Sequence, residues 1–119
     1  MLELIPTESD RVIGLHLKGK IETTDLERVI QQIEDKLKLH QKLRIYAEIE
    51  SIEGMSPEAL WKDLKFSVKH FRDFEKEAVV SDKKWVEKWT AFSNKLLSSV
   101  EVKHFSFDEK EQALEWVKS

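Results

Sequence analysis

The stretch Leu43-Arg44-Ile45-Tyr46-Ala47-Glu48-Ile49-Glu50, then Ser51-Ile52-Glu53-Gly54-Met55, then Ser56-Pro57-Glu58-Ala59-Leu60-Trp61 decides the fold of this chain. Leu43, Ile45, Ala47 and Ile49 alternate with Arg44, Tyr46, Glu48 and Glu50. A period of two marks a strand with one apolar and one polar face. Gly54 permits a turn that residues with a side chain resist. Ser56 before Pro57 then starts a helix: the hydroxyl caps a free backbone N–H, and proline suits the first helical position. Leu60, Leu64, Val68, Phe71 and Phe74 fall on one helical stripe. Strand, turn and helix in that order predict a βα unit, and with it a sheet with parallel neighbours.

Upstream of this unit, Leu2–Ile5 reads as a short strand stopped by Pro6. Ile13, Leu15 and Leu17 alternate with Gly14, His16 and Lys18 in a second strand, antiparallel to the first because the connection is short. Thr24 and Glu27 have capping-box spacing, and Leu26, Val29, Ile30, Ile33 and Leu37 carry a helical repeat. Downstream, Ala78-Val79-Val80 predicts a short buried strand, with Ser81 or Asp82 capping the next helix. Trp85, Trp89, Phe92 and Leu96 share one face of that helix and are assigned to the core. Val100 to Phe107 forms the last strand, and Asp108 with Glu111 opens a final helix carrying Ala113, Leu114 and Val117.

The predicted order is ββαβαβαβα in one α/β domain spanning 1–119. The expected sheet is mixed and five-stranded, its first strand antiparallel and the rest parallel, with four helices mainly on one face. Right-handed crossovers in a sheet that grows one way place successive helices on one side. The alternation in 13–17 and 43–50 supports that layout. It leaves the other face comparatively open, showing His16, Lys18, Tyr46 and Glu48 to a second subunit.

Composition limits the function. The 119 residues suit one domain, and 40% hydrophobic with 36% charged is ordinary for a globular chain. Net charge is −3 with the signs interspersed, which argues against nucleic-acid or anionic-membrane binding. There are no cysteines, so disulfides, thiolate metal sites and cysteine catalysis are excluded. No apolar run reaches membrane-span length and no signal peptide is read, so a cytoplasmic location without stable membrane insertion is expected.

Motifs for catalysis are missing. His16, His40, His70 and His104 show no metal-ligand spacing, and the three glycines lie far apart rather than in a phosphate-cradling loop. Phe66 and Phe74 bracket His70 at four residues either side, which reads as a ring among aromatics. Ser51 and Ser56 lie past the carboxyl end of the central strand, where open α/β sheets place ligands. Either could be a regulated hydroxyl, but Ser56 reads first as a helix cap, and Glu50 and Glu53 would repel a phosphate. Phe66 points about 120° away from the Leu60–Leu64–Phe71 stripe, given 3.6 residues per turn. Either it anchors a partner, with Trp61 at the stripe's edge, or a neighbouring helix covers it; coverage is favoured.

The stretch Ala59-Leu60-Trp61-Lys62-Asp63-Leu64-Lys65-Phe66, then His70-Phe71-Arg72-Asp73-Phe74, then Ala78-Val79-Val80-Ser81-Asp82-Lys83-Lys84-Trp85 resembles the SpoIIAA-like family. So does the tail from Phe105 to Trp116, with its acidic turn before Ala-Leu-Glu-Trp. The resemblance covers nearly the whole chain. It implies a fold shared with STAS domains, the anti-sigma-factor antagonists, and with CRAL-TRIO-type lipid carriers. STAS antagonists carry an Asp-Ser pair whose serine is phosphorylated; here Glu50 stands where the aspartate would be, and no serine takes an unambiguous matching position.

The expectation drawn is a non-catalytic, STAS-like interaction or regulatory module without a cofactor or metal. Its candidate partner- or ligand-binding residues are Ser51, Gly54, Met55, Ser56, Trp61 and Phe66. The partner is a protein or, as the alternative, a small apolar or lipid ligand held by Met55, Trp61 and Phe66. A homodimer is a further option.

Overall fold

The computed structural model describes residues 1–55, 62–63, 66, 69–96 and 100–119. Five strands form one sheet: β1 (Leu2–Ile5), β2 (Val12–Leu17), β4 (Leu43–Ile49), β6 (Phe74–Val80) and β7 (Glu101–Phe105). Their order is β1-β2-β4-β6-β7, so β4 is central. β1 runs antiparallel to β2 with Leu2 opposite Leu17, and all other pairs are parallel. Two two-residue strands, β3 (Lys20–Ile21) and β5 (Gly54–Met55), pair in parallel outside the main sheet. Three α-helices are bounded among the described residues: α1 (Thr23–Leu37), α2 (Lys84–Leu96) and α3 (Lys110–Lys118). Four were expected. Of the fourth, residues 62, 63, 66, 69 and 70 are helical, and the remainder of its expected span lies outside the described residues until a 3₁₀ turn at Phe71–Asp73.

The sheet grows one way from β2 to β7, so its crossovers put α1, Phe66 and α2 on one side. Leu26, Val29 and Ile33 of α1, Val86 of α2 and Phe66 pack there against Ile13, Leu43, Val79 and Val102. The last helix follows the final strand and is no crossover, so that rule does not bind it. It covers the opposite face, where Ala113 and Val117 meet Val12, Tyr46, Ala78, Val80 and Phe105. The expectation of an open second face therefore fails at its centre. Tyr46 is 1% exposed, and the general tendency of parallel strands to be covered on both sides prevails over the alternation in 43–50.

Local boundaries move for identifiable reasons. The cap of α1 is Glu22, not Thr24: the Glu22 N–H donates to the Asp25 carboxylate at 3.1 Å. Phe74 leaves the helical stripe and becomes the buried first residue of β6, so that strand begins four residues before Ala78. Ser106 and Glu109 cap a 3₁₀ turn at Phe107–Glu109, which delays α3 to Lys110. Bonds to the Ser106 backbone and hydroxyl hold the Glu109 carboxyl below its usual range. Trp85 and Trp89 are not core. They are 48% and 46% exposed, while Val86 and Thr90 turn inward in their place. Trp85 and Trp89 thus lie beside the buried face rather than on it, and the side chains of Phe92 and Leu96 lie outside the described ones. Among the described residues no helix is long and apolar enough to cross a membrane.

Candidate functional site at the carboxyl edge of the sheet

The chain leaves β4 at Ile49 and enters the loop that carries the predicted contact residues. Ser51 Oγ accepts a hydrogen bond from the Gly19 N–H at 3.0 Å, and the Glu53 N–H donates to the Gly19 carbonyl at 2.9 Å. Gly54 has φ +152, outside the range that side chains accept readily, and it opens β5 opposite Lys20. The loop expected to be free is thus tied to the segment after β2. Its crest projects: Ile52 is 38% exposed, and Glu53 is exposed beside it. Ser56 and Trp61 lie outside the described residues, and Met55 contributes its backbone to β5.

The end of β6 sits against the same edge. Ser81 is fully buried; its hydroxyl donates to the Ile49 carbonyl at 2.8 Å and accepts from the Lys83 N–H at 3.2 Å. His104 Nε2 lies 2.7 Å from the Ser81 carbonyl. These bonds join the tips of β4, β6 and β7 just before α2 presents Trp85 and Trp89. Lys83, Lys84 and Lys88 are exposed around them.

Phe66 is brought to neither the loop nor those tryptophans. It is half-buried against the main core and borders a groove of about 550 Å³ with Ile30, Gln31, Glu34, Lys62 and Lys69. The expected cluster therefore divides between the loop, holding Ser51 and Gly54, and the groove, holding Phe66.

Two titratable groups escaped sequence reasoning. Glu77 is aligned in the sheet between Ile45 and Val102, on the face whose apolar residues form the main core. Burial first, and the Asp63 charge second, push its carboxyl up to about 7. Burial also raises Asp63. A polar residue at an inward strand position was the available signal. His70 Nδ1 lies 2.7 Å from Asp73 Oδ2, and its Nε2 is buried with no hydrogen-bond partner. Its packing against Phe66, ring centroids 4.7 Å apart, agrees with the aromatic neighbourhood read from spacing. Among the described residues no group of three His, Asp or Glu is placed to hold a metal ion.

Residues 12–118 match the SpoIIAA-like family. The chain belongs to the SpoIIAA-like family. A crystal structure at 2.25 Å of an uncharacterized protein from Shewanella loihica with a SpoIIAA-like fold is similar to it, with TM-score 0.77 and 25% identity. That alignment covers 98% of this chain and 92% of the other. No curated protein matches. SpoIIAA-like membership agrees with the mixed sheet and its order.

Proposed function

We propose that this SpoIIAA-like chain is a non-catalytic interaction module that binds a protein partner at the carboxyl edge of its sheet. The contact is made by the loop from Ser51 to Met55 and by the residues that follow it, Ser56 and Trp61 included. One observation carries this reading: the loop is anchored from below through Ser51 and Gly19 while Ile52 and Glu53 project from its crest. A pre-ordered loop binds with less entropy loss than a slack one. Trp85 and Trp89 add large apolar area beyond the same edge, of the residue type that dominates binding hot spots. The module works in the cytoplasm, without nucleic acid, membrane insertion or a cofactor. The test is site-specific photocrosslinking in cells. A photoreactive residue at Ile52 should trap one discrete adduct that the same residue at Lys42, at the amino end of β4, does not. Identical adduct patterns from both positions would remove the reading.

The groove beside Phe66 favours a second reading, a carrier of a small apolar ligand. Ile30 and Phe66 give it apolar walls, and Glu27, Glu34, Lys62 and Lys69 surround them with charge. Native mass spectrometry after incubation with a fatty-acid mixture should then show a bound mass that Phe66→Ala loses. An unchanged spectrum in both proteins would rule the carrier out.

A further inference from the structure

We propose that the partner at the carboxyl edge is a second copy of this chain, the Ile52–Glu53 crest of each copy seated on the Trp85–Trp89 face of the other. This inference rests on the proposed binding edge and names what binds there. Each molecule carries both halves of the contact. One half is small and acidic: Ile52 is 38% exposed, and Glu53 is exposed beside it. The other half is aromatic and basic. Trp85 and Trp89 stand one helical turn apart on α2, with Lys83, Lys84 and Lys88 exposed around them.

Charge decides what the aromatic half fits. Lysines elsewhere on the surface have carboxylate partners: Lys18 pairs with Glu50, Lys20 with Glu22, and Lys110 with Glu48. Among the described residues Lys83, Lys84 and Lys88 have none. Two acids share their surface. Asp82 is engaged, accepting the Phe107 N–H at 3.1 Å, and Glu87 is exposed in the first turn of α2. Three lysines against two acids leave this face net positive. Lys84 begins α2, the end at which the helix dipole disfavours a cation, so helix stability does not account for it. On the crest Glu50 is matched by Lys18, whereas Glu53 has no cationic partner among the described residues. The Glu53 N–H is bonded to the Gly19 carbonyl, so an ordered backbone presents that carboxylate. A molecule with both complementary halves on one edge pairs through a two-fold axis and makes the contact twice. An exposed ion pair is worth little, so charge sets the register and cover over the tryptophans by Ile52 supplies the affinity. The contact is small, which makes a weak dimer with a dissociation constant on the order of 50 µM. In dilute solution both tryptophans are therefore open to solvent.

Sedimentation equilibrium of the purified chain from about 5 to 500 µM brackets that constant. Wild type should pass from the mass of one chain to the mass of two. Glu53→Lys, and separately Lys84→Glu with Lys88→Glu, should each associate at least about tenfold more weakly, because like charges then meet. An equimolar mixture of these two proteins should recover the wild-type dimer, since in a mixed pair both contacts again join opposite charges. That recovery also shows that both variants are folded. A wild type that stays monomeric, a dimer indifferent to both reversals, or a mixture no more associated than its components would each overturn the inference. The binding edge itself fails separately, through the crosslinks in cells. A monomeric wild type with one discrete adduct at Ile52 to a different protein would overturn the second copy as partner and leave the edge as a binding site.

Discussion

Ser51 Oγ lies 3.0 Å from the Gly19 amide nitrogen and accepts its hydrogen. One hydroxyl thus links the exit of β4 to the exit of β2. Ser51→Ala should cost about 1 kcal/mol, the usual net value of such a bond. Urea denaturation measures the loss. Amide exchange should quicken at Gly19 and Glu53 while the β4 amides stay protected. Equal acceleration in β4 would mean that the hydroxyl supports the whole sheet rather than the loop.

Gly14 faces the β1–β2 hairpin with no room for a methyl group. A Cβ there would come within 2.4 Å of the Ile5 carbonyl oxygen and 2.7 Å of Thr7 Cγ2. Backbone cannot yield as a side-chain tip does. Gly14→Ala should therefore destabilise by roughly 1–3 kcal/mol, the range for overpacking, as read by thermal unfolding.

Glu77 makes stability depend on pH in the opposite sense to a salt-bridged acid. Its folded-state carboxyl is raised from 4.5 to about 7, so the folded chain binds the proton more tightly than the unfolded chain. Below pH 4.5 both states are protonated and there is no penalty. As pH rises from 4.5 to 7 the penalty for ionising in place accumulates, toward about 3 kcal/mol at 1.36 kcal/mol per unit. Glu77→Gln should be more stable than wild type at pH 8, with the difference vanishing near pH 4. A constant difference across that window would show that ionisation is not the cause.

Trp85 and Val86 should reverse the usual rank of large and small side chains. Trp85 is 48% exposed and Val86 is fully buried. Val86→Ala should cost about 1–3 kcal/mol through lost burial and the cavity left behind. Trp85→Ala should stay within about 1 kcal/mol, as surface changes do. Acrylamide should quench the fluorescence of variants that retain only Trp85 or only Trp89 nearly as well as it quenches free indole. A shielded spectrum would return both rings to the core.

The fold was legible wherever a local period met a global rule. The alternation in 43–50, the short link between the first two strands and the βα repeats place β4 mid-sheet and β1 antiparallel, as observed. Periodicity reports which residues share a face, not which face is buried, and that is why Trp85 and Trp89 were misassigned. The burial of Tyr46 was hidden because it depends on where the last helix folds back, a choice no crossover dictates. Within the candidate site the turn at Gly54 was readable from the residue itself. Its pairing with Lys20 joins residues more than thirty positions apart and leaves no mark in either local pattern. The shift at Glu77 was invisible because Asp63, whose charge reinforces it, comes from another element.

The final helix is secured at its carbonyl end. Arg44 Nη1 reaches the Val117 carbonyl at 2.8 Å while its Nε pairs with Glu75, and Lys76 Nζ reaches the Trp116 carbonyl at 3.2 Å. Cations at that end also interact favourably with the negative pole of the helix dipole. A clip on the Trp116 and Val117 carbonyls makes the end of this helix a structural component. Deleting residues 116–119 would unfasten a lid from Tyr46, Ala78, Val80 and Phe105, and would turn the rear of the sheet into an adhesive plane between molecules.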